Sequence, residues 1–123
     1  MALTIKNLAI GTLGLGTFLS PGTIILGSTA KSTLIKNIIL TNTGTGPRKV
    51  NICVKAGGTT TLYTAQITQQ DLQIPANSQI VINEEITLAF TTLTGVKTAE
   101  GLYGWADNAS DVKYVVNGVE RDL

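Results

Sequence analysis

Residues 33–55, TLIKNIILTNTGTGPRKVNICVK, place two runs rich in β-branched residues on either side of a turn made of Thr, Gly and Pro. β-Branched side chains favour the pleated, half-buried surface of a strand. In the first run Leu34, Ile38 and Leu40 read as one face and Ile35 and Ile39 as the other, the pattern of a strand covered on both sides. The turn, Thr43 to Arg48, carries Gly44 and Gly46, which tolerate positive φ, and Pro47, which fixes the exit. The second run alternates strictly. Val50, Ile52 and Val54 point one way and Asn51, Cys53 and Lys55 the other, as in a half-buried strand. Together the two runs read as an antiparallel hairpin at the heart of a sheet.

The same signals extend along the chain. A first apolar segment, Ala2 to Ile10, leads into a glycine-punctuated stretch and then TFLSPGTIILG, where Pro21-Gly22 marks a turn. Residues 55–65 read as a Gly-Gly turn into a strand. Residues 64–74 are too polar and too short for a helix and read as a loop with a short strand. In the block from Leu72 to Phe90, Pro75 and Asn77 mark a turn, Ile80 and Ile82 share a face, and so do Ile86, Leu88 and Phe90. Residues 94–101 read as a loop. LYGWADN and SDVKYVVNGVE read as two closing strands joined at Asn108 to Ser110, with Val112, Tyr114 and Val116 on one face. About eight or nine short strands without a helix predict an all-β chain. The expected architecture is one β-sandwich or jelly-roll-like domain over residues 31–123, with residues 1–30 as an extended apolar N-terminal arm and first strands.

A chain of 123 residues suits one domain and can bury a core without metal or disulfide staples. Charged residues make up 14%, against about 25% in ordinary globular proteins, so this chain has more apolar surface than a monomer readily hides. Nine basic and eight acidic residues are scattered, with no basic stripe, which argues against a nucleic-acid partner. No apolar run reaches the ~20 residues of a membrane helix, so no membrane partner is expected. The N-terminus has the outline of a signal peptide, but Gly11, Gly14 and Gly16 break the helix such a segment needs. The absence of histidine removes histidine general-base chemistry and most zinc sites, and the single cysteine, Cys53, excludes an intrachain disulfide.

Candidate chemistry is sparse. Glu84 and Glu85 are neighbours, and neighbours on a strand point to opposite faces, so they cannot act together on one bond. Asp107 and Asp111 flank a loop where two carboxylates could hold calcium, although Asx residues at turns ordinarily serve the turn itself. Asn108 to Ser110 matches a glycosylation acceptor. Cys53 reads as a passive small residue, with only Lys49 or Lys55 able to activate it. Gly11 to Gly16, GTLGLG, lacks both the spacing and the strand–loop–helix context of a dinucleotide loop. Tyr103 and Trp105 either cap the core or anchor a partner, core being the simpler assignment. No catalytic constellation, cofactor site or metal site is expected.

The order of these segments resembles a family of small virion proteins of tailed bacteriophages. The resemblance rests on Ile35, Ile38, Asn42 and Thr43, then Val50, Ile52, Val54 and Lys55, then Pro75 and Ala76, Ile86 and Leu88, and Gly118, Val119 and Glu120, and covers about residues 31–120. Where members often carry Gly-Asp after the I-x-L strand, this chain has AFTTLTG. The resemblance implies a β-sandwich structural component of the virion, first a capsid decoration (cement) protein, otherwise a tail, neck, baseplate or fibre component. The implied partners are copies of itself, a trimer favoured, and the major capsid protein or other virion proteins, with assembly in the bacterial host cytoplasm. A carbohydrate- or receptor-binding module built on Tyr103, Trp105, Asp107 and Asn108 is the rival from another class. The apolar arm is expected to reach a neighbouring subunit through Leu3, Ile5, Leu8, Ile10, Leu13, Leu15 and Phe18, with Trp105 as a further contact.

Overall fold

The computed structural model describes residues 5–17, 21–56, 63–93 and 96–122. Among the described residues, eleven strands form two antiparallel sheets packed face to face. The first sheet runs β1 (Lys6–Thr12), β11 (Val112–Asp122), β3 (Lys31–Asn42), β7 (Ser78–Ile82), with β8 (Ile86–Leu88) continuing beside β3. The second runs β2 (Gly22–Ile25), β10 (Val96–Ala106), β4 (Arg48–Ala56), β5 (Tyr63–Gln66), with β6 (Leu72–Ile74) on β4 and β9 (Phe90–Leu93) on β10. The first thirty residues thus supply one outer strand to each sheet.

The all-β sandwich is as expected, but the hairpin is not. β3 and β4 do not pair; they lie in opposite sheets and face each other across the core. The five residues between them, 43–47, cross from one sheet to the other. The loop after β10 makes the same crossing, since β10 and β11 also belong to different sheets. Strong strand patterning on both sides of a short turn is common to both arrangements, and the choice between them rests on what the turn residues hold. Here Asn42 holds the crossing. Its side chain is fully buried. Its Nδ2 donates to the carbonyls of Gly46 at 2.9 Å, Ile74 at 3.0 Å and Pro75 at 3.2 Å, and its Oδ1 accepts from the Gly44 N–H at 2.9 Å. Arg48 adds an ion pair from Nε to Asp111 at 2.8 Å, tying the starts of β4 and β11 together.

Residues 94–101 are a second correction. From Val96 onward the segment is the first part of β10, in a true hairpin with β9 that pairs Leu93 with Val96.

The core is formed by Ile35, Ile38, Leu40, Val112 and Val116 from the first sheet against Val50, Ile52, Val54 and Leu102 from the second, all buried. Leu34, expected beside Ile38 and Leu40, lies instead on the outer side with Ile39. Lys36 is an extra residue in β3 opposite the Asn117–Gly118 step of β11, and a bulge of one residue reverses the alternation beyond it. Leu8 is the corresponding extra residue of β1. The half-buried reading of β4 also changes: every residue from Val50 to Ala56 is buried, so its outer face is covered too.

Candidate functional site

Cys53 lies on that covered face, fully buried, in register with Tyr103 on one side and Gln66 on the other. Burial pushes its thiol up from the ordinary 9.0, with Lys55 pulling weakly the other way. A buried, neutral thiol is no nucleophile. Because the folded thiol ionises later than the unfolded one, the folded state holds its proton longer, and stability should fall as pH rises past 9.0. Denaturant melts across that range check this, and Cys53→Ser should flatten the slope.

Beyond Cys53, at the turn end of the second sheet, the outer face opens into a groove of about 700 Å³. Trp105, near the end of β10, forms its half-buried floor and is in register with Asn51 of β4. Asn51 is buried and fixes the next wall. Its Nδ2 donates to Asp71 Oδ1 at 3.0 Å, and its Oδ1 accepts the Asp71 N–H at 2.9 Å and Gln66 Nε2 at 3.2 Å. This two-point clasp holds Asp71 at φ 54°, a left-handed conformation that Asp tolerates better than most side chains. Lys49 and Asp107 line the rim and are joined through the backbone, the Asp107 N–H donating to the Lys49 carbonyl at 3.1 Å.

The last wall is the segment after β1. It crosses from the first sheet to the second, the Leu13 N–H donating to Val112 O at 2.8 Å and the Gly14 carbonyl accepting from the Ala106 N–H at 2.9 Å. This places Leu15, 68% exposed, beside the groove.

The expected contact residues therefore scatter. Leu15 and Trp105 meet at the groove. Ile5 is exposed just before β1, and Ile10, 71% exposed, stands on the outer face of the opposite sheet. Leu13 is buried in the core, and Leu8 is partly buried against it. Leu3 and Phe18 lie outside the described residues. The sequence marks Lys49 only as a neighbour of Cys53, and it does not mark Asn51 or Asp71 as groove residues. Asp71 is twenty residues from Asn51, and no local spacing announces their contact.

Asp107 and Asp111 do not form an ion cage. Asp111 pairs with Arg48, and Asn108 Oδ1 accepts from the Ser110 and Asp111 N–H groups at 2.8 and 3.0 Å, an Asx turn. Among the described residues no three His, Cys, Asp or Glu side chains gather where they could hold a metal. The groove brings an aromatic plane, two carboxylates, an amine and the Asn51 carboxamide together.

No family model matches the chain, and no curated protein matches it. The fold is similar to part of a chain in a structure of the infectious bursal disease virus Gx strain, with a TM-score of 0.52 and 10% identity, over 100% of this chain and 33% of that one. A crystal structure of the infectious bursal disease virus VP2 subviral particle aligns with a TM-score of 0.47 and 11% identity, over 97% of this chain and 31% of that one. The chain spans about a third of the length of the chains it matches. At this identity the similarity is one of fold.

Proposed function

We propose that the chain is a non-enzymatic structural protein of a virus particle, in the first place a decoration or cement protein that binds the head shell of a tailed bacteriophage as an oligomer, a trimer favoured. What supports the reading is a rigid antiparallel sandwich carrying large apolar side chains on its outside: Ile5, Ile10, Leu15, Leu26 and Val81. The order of motifs along residues 31–120 and the occurrence of a similar sandwich in a virus structure point the same way. Residues 31–123 together with β1 and β2 serve as the body, and exposed side chains of the first thirty residues, Ile5 and Leu15 among them, reach neighbours. Many weak apolar contacts, multiplied by symmetry, make the attachment.

Copies per particle, counted by quantitative mass spectrometry against the major capsid protein, test this. Hundreds of copies support decoration. A few to a few tens move the protein to the neck, tail, baseplate or fibres, and absence from the particle overturns the virion reading. Deleting residues 1–20 would be a poor probe of the arm, because β1 belongs to the sheet and Leu13 to the core. Ile5→Asp with Leu15→Asp leaves both intact and should lower the number of bound copies at least about tenfold.

A second reading is favoured by the groove. Trp105 flanked by Asp71, Asp107 and Lys49 suits a sugar, the aromatic plane meeting its apolar face and the polar groups its hydroxyls. A glycan array should then give a signal that Trp105→Ala lowers at least about tenfold. No signal removes this reading and leaves the first untouched.

A further inference from the structure

The outer face of the first sheet carries an alignment that only register reveals. Ile10 pairs with Val115, Val115 with Ile39, and Ile39 with Val81, so four apolar side chains form one straight row across β1, β11, β3 and β7. All four point away from the core, since Ala9, Val116, Ile38 and Ile82, next to them in sequence, face inward. Ile10 is 71% and Val81 47% exposed.

The rows on either side are polar and unlike. Two residues along on one side stand Thr12, Lys113, Thr41 and Gln79, with Lys113 Nζ donating to Thr12 Oγ1 at 3.2 Å and Thr41 Oγ1 donating to Gln79 Oε1 at 3.5 Å. On the other side is a carboxamide ladder: Asn7 Nδ2 donates to Asn117 Oδ1 at 3.4 Å, and Asn117 Nδ2 to Asn37 Oδ1 at 2.9 Å.

We infer that this face is a homotypic interface, covered by the same face of a second copy across a two-fold axis lying along the apolar row. The axis follows from the pattern. A two-fold in that position stacks each member of the row on its own counterpart. It carries the hydroxyl-and-lysine row of one copy over the carboxamide row of the other. Lys113 then meets Asn117 of the second copy, and Thr41 meets Asn37 of the second copy. No two like charges oppose each other in these rows, and amide oxygens receive the ammonium and the hydroxyls.

Such isologous self-complementarity is what a two-fold dimer requires. Face-to-face sheets pack about 10 Å apart with strands nearly aligned. Strands of five to twelve residues, about 4.8 Å apart, offer a face of roughly 500–600 Å². That lies at or just below the roughly 600–1,000 Å² per partner of a specific interface, so the dimer should be weak, with a dissociation constant of micromolar or higher. This inference does not rest on the virion reading, but it competes with the trimer favoured there: a two-fold dimer through Ile10 and Val81 replaces that trimer in solution.

Light scattering on the eluting protein tests it. At concentrations well above micromolar the wild-type chain should have twice the monomer mass. Val81→Lys and Ile10→Lys, at opposite edges of the face, should each weaken the dimer at least about tenfold, with far-UV circular dichroism unchanged. Leu26→Lys, exposed outside this face, should leave the dimer intact. Val115→Cys should be linked to its counterpart by a short bis-maleimide, while buried Cys53 stays unreactive. A wild-type monomer at about millimolar concentration overturns the inference. So does an assembly that Val81→Lys leaves unchanged, or a dimer in which Val115→Cys does not cross-link.

Discussion

Asn42→Ala should destabilise the protein by about 3–4 kcal/mol, lowering its melting temperature by roughly 10–15 °C. The side chain is fully buried and makes four hydrogen bonds, all to backbone groups. Alanine leaves three carbonyls and the Gly44 N–H without that partner at the end of the sandwich where the turns 43–47, 75–77 and 107–111 converge. Each net hydrogen bond is worth about 1 kcal/mol, and an unsatisfied buried group costs about 1–3 kcal/mol more. Asn42→Asp separates hydrogen bonding from packing. It keeps the shape and the acceptor to Gly44 but turns an oxygen toward three carbonyl oxygens. The ionised form is strongly disfavoured there, so the folded-state pKa of the new carboxyl lies above its unfolded value. Its destabilisation is therefore fully present above the folded pKa and lessens as pH falls toward the unfolded value, because the protonated carboxyl donates again. Thermal melts of both variants at neutral and acidic pH check this. A neutral Asn42→Ala would mean that the crossing is held by something else.

Gly118→Ala should be nearly as damaging, at about 3 kcal/mol or more. A methyl group at Gly118 would fall on the Leu34 carbonyl oxygen, with Leu8 Cδ1 at 2.9 Å and Ile35 Cα at 3.0 Å. Two of these three neighbours are backbone, so a rotamer change does not relieve the clash. The only relief is to separate β11 from β3 beside the Lys36 bulge, which also disturbs Ile35 in the core. Gly14→Ala is the control. Nothing lies within 4 Å of its would-be Cβ, and its melt should match that of the wild type.

The alternation rule located most strands because most strands have one wet face. Val112, Tyr114 and Val116 face the core as that rule predicts, and so do Ile80 and Ile82. It failed where the backbone, not the side chains, sets the phase. Nothing in TLIKNII says that Lys36 is the extra residue, because the bulge is a relation to Asn117 and Gly118, eighty residues on. The hairpin misreading has the same origin. Thr43 to Pro47 can turn a chain back beside itself or carry it to another sheet, and the buried carboxamide of Asn42 that decides is bonded partly to Ile74 and Pro75. Trp105 and Asp107, which line the groove, stood out as candidates for binding from type alone. Asn51 and Asp71 did not, since an asparagine on a strand's outer face gives no local sign that a distant loop folds over it.

β11 lies between β1 and β3 and, among the described residues, supplies the only neighbour of β1 in its sheet. Among the described strands it is also the last to be synthesised. While residues 6–111 emerge, β1 and β3 wait with exposed hydrogen-bonding edges and their shared neighbour still unmade. Synthesis at about 5–20 residues per second leaves that gap open for several seconds. Folding of this sandwich therefore waits for β11, which inserts between two strands made before it. Interruption of synthesis anywhere short of residue 112 would release a chain with the pairing edges of an aggregation seed rather than a smaller folded protein.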